Sequence, residues 1–385
     1  MIAAAIRSIY TINLAIKRGE RVLVFTDTLS GAEGVDERER NRREQLRDMA
    51  YLTAEVGKAY AKKILYLEFP ATGKHGAEPL EELWRTAFGN RAVNKLEEAG
   101  LLHPLLNKTL TGEGMSKAGI IVGKYKKSAV DAVIALSNYS TSHTRFRNLL
   151  TGMCGCRYAS MPLFDIEMFE GPMGVDWKAL SRKTLAMAKI VNSAETLKIA
   201  APNGSRLTLS KKGRKALADT GMLTKPGSFG NLPSGEVFFA PLEGTAQGTL
   251  VLEWAPTRKL NKPVTLLIKD GMVQEVSGDD PYAAVLKAKF AEQPENRNIA
   301  EFGIGTNNRA KRPDNILESE KILGTIHIAL GDNSSFGGKV QTPFHQDFVL
   351  FKPTVTLMAK GKSPVCLLKD GSVNVGTLIK SHHRD

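Results

Sequence analysis

The most constraining feature of this 385-residue chain is a change of texture near residue 195. Before it, apolar strands alternate with helices. Arg21-Val-Leu-Val-Phe-Thr26 and Lys63-Ile-Leu-Tyr-Leu-Glu-Phe69 read as buried strands, Leu46 to Lys62 and about Pro79 to Phe88 as helices. Ala129 to Leu136 and Arg157 to Met161 read as two further strands. Strands that are apolar throughout, separated by helices, predict parallel βαβ units in a layered sheet. After residue 195 the pattern becomes strand, turn, strand. Asn203-Gly204, Lys269-Asp270-Gly271 and Lys369-Asp370-Gly371 are hairpin signals between alternating runs. The expectation is an α/β domain over 1–195 with a layered, mostly parallel sheet. An α+β domain with mostly antiparallel strands follows over 196–385.

At the N-terminus, Ile2, Ile6, Ile9, Ile12 and Ile16 form one helical stripe that ends where Gly19 could cap it. Arg7 interrupts that run and Lys17-Arg18 follow it, unlike a secretory leader. With no apolar run long enough to span a bilayer, the expected location is cytoplasmic. Lys plus Arg number 53 against 40 Asp plus Glu, a formal charge of +13. The charge is scattered, however. Its densest run, Glu37 to Asp48, mixes both signs as a solvated helix start does. Neither nucleic acid nor membrane is expected as a partner. Three cysteines exclude a disulfide framework. Cys154 and Cys156 would share one strand face.

Nucleotide-binding devices are missing. No GxxxxGK[ST] occurs, and Gly112 to Gly119 has the wrong spacing for GxGxxG. His143, in Asn138 to Thr144, could be a ligand or base, though such a residue more often serves a structural role.

The residues that suggest chemistry lie in the second half. Glu236 leads the run Glu-Val-Phe-Phe, and Glu301 sits in Ile299-Ala-Glu-Phe-Gly-Ile-Gly305. A bare carboxylate in such a setting needs a cation or a hydrogen-bonding partner. His327 is flanked by isoleucines in a strand-like run. His345 and Asp347 form an H-x-D whose side chains share one face of a strand. Two glutamates, two histidines and an aspartate suit a divalent metal such as zinc, cobalt or manganese. Glu318 and Glu320 read as solvent-facing in a helix-like segment.

Gly235 to Pro241, Glu243 to Thr249, Glu301 to Asn307, Asn315 to Glu318, Lys321 to Lys339 and His345-Gln-Asp347 resemble the aminopeptidase T and aminopeptidase S metallopeptidases, in their shorter prokaryotic branch. A weaker match covers Ser142 to Arg145 and Met161-Pro162. The resemblance implies a dimeric hydrolase, a metallo-aminopeptidase cleaving N-terminal residues from peptides with free N-termini. It implies two divalent ions per chain, zinc or cobalt, with manganese or iron also compatible. Glu236, Glu301, His327, His345 and Asp347 fall on the ligand and catalytic positions, with Glu236 and Glu301 catalytic. The family's tyrosine ligand has no counterpart after Tyr282, and Ser334 stands near its place. The same superfamily resemblance implies two alternatives. One is a ring-cleaving, non-haem iron dioxygenase of the dihydroxypyridine type, with one ferrous ion on two histidines and an aspartate and a histidine at the position of Glu301. The other is a non-catalytic metal-binding relative.

Overall fold

The computed structural model describes residues 2–30 and 33–374. The tail Lys380 to Asp385, whose paired histidines could pass for a metal-binding tract but whose terminal position predicts a solvated segment, lies outside the described residues. The chain divides into two compact units, Met1–Gly174 with Gly221–Pro233, and Val175–Thr220 with Ser234–Asp385.

The first unit holds a five-stranded parallel sheet. Its strands are β1 (Arg21–Thr28), β2 (Lys63–Pro70), β3 (Ala132–Ala135), β4 (Arg157–Ser160) and β8 (Phe229–Asn231), in the order β2-β1-β3-β4-β8. Val22 to Phe25 are wholly buried, as a central parallel strand requires. The short strand β8 is not among the strands expected from the sequence. The mixed-charge run begins the helix Glu37–Gly57, where the Asp36 carboxylate accepts from Glu39 N at 2.8 Å. The first helix is shorter than its isoleucine stripe suggests. It spans Ile2–Ser8, widens into a π-helical turn over Ile9–Asn13, and ends before Ala15 at φ +44° rather than at Gly19. Cys154 ends the helix Arg145–Cys154, Gly155 caps it in the left-handed region, and Cys156 follows. A helix boundary therefore separates the two thiols, and they do not share a strand face. None of the three cysteines is in a disulfide.

The second unit is built from two antiparallel sheets. The larger contains β5 (Thr196–Ala200), β6 (Arg206–Ser210), β10 (Gln247–Ala255), β11 (Arg258–Lys269), β12 (Met272–Ser277), β16 (Thr354–Met358), β17 (Val365–Lys369) and β18 (Ser372–Val373). The smaller has the order β15-β14-β13-β9-β7. Its strands are β7 (Leu217–Asp219), β9 (Glu236–Phe239), β13 (Ile299–Gly305), β14 (Ile326–Gly331) and β15 (His345–Leu350). Hairpins β5–β6, β11–β12 and β17–β18 turn at the three predicted dipeptides. Asp270 and Gly271 both have positive φ, as a two-residue hairpin turn demands. The helix Trp177–Asn192 belongs to this unit and packs on β7 and β9. No described helix is long and apolar enough to cross a membrane.

One apolar core joins the two sheets. Val237, Phe239, Phe302, Ile304, Ile326, Ile328, Leu330, Phe348 and Leu350 enter it from the smaller sheet. Their sequence neighbours then face the opposite way. A bulge between Ile299 and Glu301 puts two residues of β13 against one of β14. Ile299 and Phe302 can thus both reach the core while Glu301 points away.

Gly303 is a fixed point of this face. It pairs with His327, and a Cβ there would come within 2.0 Å of the imidazole Cε1 and Nε2. His327 is fully buried and has little room to yield. Gly303→Ala should destabilise the chain by about 2 kcal/mol through overpacking. Chemical denaturation checks this, and an unchanged midpoint would show that the ring can move aside.

Candidate metal centre

The five residues singled out from sequence converge on the outer face of the smaller sheet. Alternation does this directly. Glu236 opens β9, Glu301 lies on β13, His327 on β14, and His345 and Asp347 on β15. Each has the parity opposite to its strand's core residues. Register then sets their spacing. Ala329 pairs with Glu301 on one side and Asp347 on the other. The two carboxylates therefore flank a methyl group across three strands, and Gly303 makes the same room for His327.

The polar atoms form a chain. His327 Nε2 lies 3.3 Å from both Glu236 Oε2 and Glu301 Oε1. His345 Nε2 lies 3.6 Å from both Glu301 Oε2 and Asp347 Oδ2. His345 Nδ1 lies 2.7 Å from the Asp332 carbonyl oxygen. A carbonyl can only accept, so Nδ1 carries the hydrogen and Nε2 faces the carboxylates, an orientation typical of metal-bound histidines.

Among the described residues, two groups have ligand atoms close enough to hold an ion, Glu301 with His345 and Asp347, and Glu236 with Glu320 and His327. Asp347 Oδ1, Glu236 Oε2 and His327 Nδ1 are buried without a hydrogen-bond partner. Orphaned acceptors beside an imidazole are the arrangement a divalent cation satisfies, so these side chains fit a bound metal.

Glu320 and Lys321 also belong to the cluster, although neither stood out in the sequence as a site residue. Glu318 and Glu320, read as solvent-facing, are buried. The helix that carries Glu318 is a single turn, Ile316–Ser319, and Glu320 follows as its C-cap, so neither has the exposed face of a long surface helix. Glu318 Oε1 accepts from Lys311 N at 2.7 Å and Arg312 N at 3.1 Å. Glu320 serves Lys321, whose fully buried Nζ donates to Glu236 Oε1 and Glu320 Oε1, each at 2.6 Å. An acidic residue followed by a lysine gives no hint of this, because the partner Glu236 is 85 residues away.

Electrostatics follow from the burial. Desolvation raises Glu301, and the charge of Asp347 adds to the effect. Desolvation also raises Glu320, to about 8, despite the adjacent ammonium. For His345, burial opposes the charged form, but Asp347 and Glu301 outweigh it and raise the group to about 10. His327 is raised to about 9 in the same way, with Glu301 and Glu236 outweighing burial. Asp347 is held near 2, because His345 and His327 overcome its desolvation.

Aromatic rings line the same face. Phe238 lies two residues beyond Glu236, and Phe336 stands edge-on to it at 5.7 Å and to His345 at 6.0 Å. Ser334 is not a ligand in this arrangement. Its hydroxyl donates to the Asp332 carboxylate at 3.1 Å. The backbone carbonyl of His143, in the first unit, accepts from Lys108 Nζ at 3.0 Å, and the neighbouring Thr144 caps the helix Arg145–Cys154.

The family model of 2,5-dihydroxypyridine 5,6-dioxygenase, NicX, matches residues 174–362, a stretch containing every residue of the cluster. A 2,5-dihydroxypyridine 5,6-dioxygenase of Pseudomonas putida KT2440 is 28% identical over 185 residues, covering 44% of this chain and 53% of that protein. The matched stretch thus spans about half the length of that relative. Two solved structures share the fold over nearly the whole chain. A 2,5-dihydroxypyridine dioxygenase from P. putida KT2440 has a TM-score of 0.65 at 19% identity, covering 97% of this chain and 96% of that one. AmpT from Thermus thermophilus has a TM-score of 0.58 at 14% identity, covering 97% and 98%.

These findings correct the reading drawn from the peptidase resemblance. The fold relation to AmpT stands. The aminopeptidase activity, the hydrolase and protease class and the peptide substrate do not, because both the family model and the curated relative are dioxygenases. Zinc and cobalt lose their support with the peptidase reading.

The raised pKa of His345 has a measurable consequence. In the ion-free chain its proton is retained up to about pH 10, rather than lost near 6.5. An ion bound at Nε2 must displace that proton, so affinity should rise with pH, by about tenfold per unit below pH 9. Manganese competition titrations at pH 6.5, 7.5 and 8.5 would measure it, and a flat profile would contradict the assignment of Nε2 as a ligand atom.

Proposed function

We propose that this chain is a ring-cleaving, non-haem iron dioxygenase acting on a dihydroxylated pyridine. The observation that carries this reading is the match to the dioxygenase family model over 174–362, the stretch that contains the whole buried cluster. Glu301, His345 and Asp347 would hold the ion. Ferrous iron bound there supplies the one-electron and dioxygen chemistry that the side chains lack. The donor set is one imidazole and two carboxylates, whereas a dihydroxypyridine dioxygenase is expected to have a histidine at the position of Glu301. The extra carboxylate makes the site one charge more negative and supports retention of a hard divalent cation.

The remaining side chains bind, orient and move protons. Asp332 fixes the tautomer of His345 through its carbonyl oxygen. Glu236 Oε2, buried, without a hydrogen-bond partner and 3.3 Å from His327 Nε2, would be the acceptor for the proton of a substrate ring hydroxyl. Lys321 fixes the other oxygen of that carboxylate.

The test is oxygen uptake. The chain is loaded anaerobically with ferrous iron, given 2,5-dihydroxypyridine, and followed with an oxygen electrode and by loss of the aromatic absorbance. One molecule of oxygen should be consumed per ring lost. Asp347→Ala should lower kcat/KM by about 100-fold or more through loss of the ion. Iron-loaded chain that consumes no oxygen with this substrate would overturn the reading.

A further inference from the structure

Phe336 lies in the 3₁₀ turn Ser334–Phe336, between β14 and β15. It is half-buried and touches the site on two sides. Its ring stands at 89° to the His345 imidazole and at 71° to Phe238. His345 itself lies against Glu301 and Asp347. An aromatic ring is thus held beside a member of the ligand group.

The turn is built to be rigid. Asn333 is wholly buried, and its Oδ1 accepts from Val340 N at 2.9 Å. Its Nδ2 donates to Glu243 Oε1 at 3.2 Å, and the same oxygen accepts from Lys339 N at 2.8 Å. The other Glu243 oxygen pairs with Arg214. Gly338 closes tightly on Asn333, where a Cβ would come within 1.9 Å of Cγ. Asp332 accepts from Ser334 N at 3.2 Å and from Thr342 N at 3.1 Å. One carboxylate from the segment before β10 thereby ties both ends of the Phe336 turn, with an arginine neutralising it. Fastening a loop at this many points reduces the entropy lost when a ligand binds against it.

We propose that Phe336 is the aromatic wall against which the flat substrate ring packs, and that Glu243 is the positioning residue that holds it there. The inference rests on the dioxygenase reading and deepens it by naming what selects a planar heteroaromatic ring. Aromatic rings pair edge-on or offset with one another, a geometry that an aliphatic hydroxy compound does not reproduce.

Binding without turnover tests this. The ferrous chain is titrated anaerobically with 2,5-dihydroxypyridine in a calorimeter, and its iron content is measured in parallel. Phe336→Ala should raise Kd by about tenfold with iron content unchanged, and Phe336→Tyr should restore it. Glu243→Gln should raise Kd by a smaller factor, again with full iron. In turnover the same variants should raise KM more than they lower kcat. A Phe336→Ala chain that binds as tightly as the parent overturns the proposal alone, as does one whose weaker binding tracks loss of iron. A parent chain that holds iron but binds no dihydroxypyridine overturns the dioxygenase reading as well.

Discussion

Buried negative charge governs the second unit. Glu236, Glu301 and Glu320 are each less than a tenth exposed, and Asp347 lies beside them. Carboxylates removed from water are costly unless a cation meets them. The chain provides one such cation in Lys321, which is wholly buried against Glu236 and Glu320. Glu301 and Asp347 are left facing the His345 imidazole, the arrangement that a divalent ion completes. The orphaned oxygens and the upward shifts of His327 and His345 are expressions of the same imbalance.

The fold supports this charge by separating it from the core. The smaller sheet turns Phe302, Ile304, Ile326 and Ile328 toward the larger sheet, and every second residue is free to carry function. Small residues then set the distances. Ala329 lies between Glu301 and Asp347, and Gly303 leaves the volume that His327 fills. The run Glu-Phe-Gly-Ile-Gly is thus a strand with one apolar face and one nearly bare one, led by an acid.

The likeness to AmpT and to a dihydroxypyridine dioxygenase concerns the fold alone. What a site does depends on the ion it holds and on the surfaces around it. In this chain Phe336 stands beside His345, with Phe238 packed against Phe336.

Local regularities were legible in the amino-acid sequence. Continuous apolar runs identified four strands of the first unit, alternating runs identified strands of the second, and the Asn-Gly and Asp-Gly turns located three hairpins. Glu236, Glu301, His327, His345 and Asp347 stood out because each is polar in an apolar or glycine-rich run. Tertiary structure decided what depends on distant partners. The one-turn helix hid the burial of Glu318 and Glu320, and only folding joins Lys321 to a glutamate 85 residues earlier. The strand β8 was invisible because its three residues acquire a partner only when they meet β4. Residue patterns report the environment of a few neighbours, whereas the pairing of charges across strands depends on register, which the assembled sheet alone establishes.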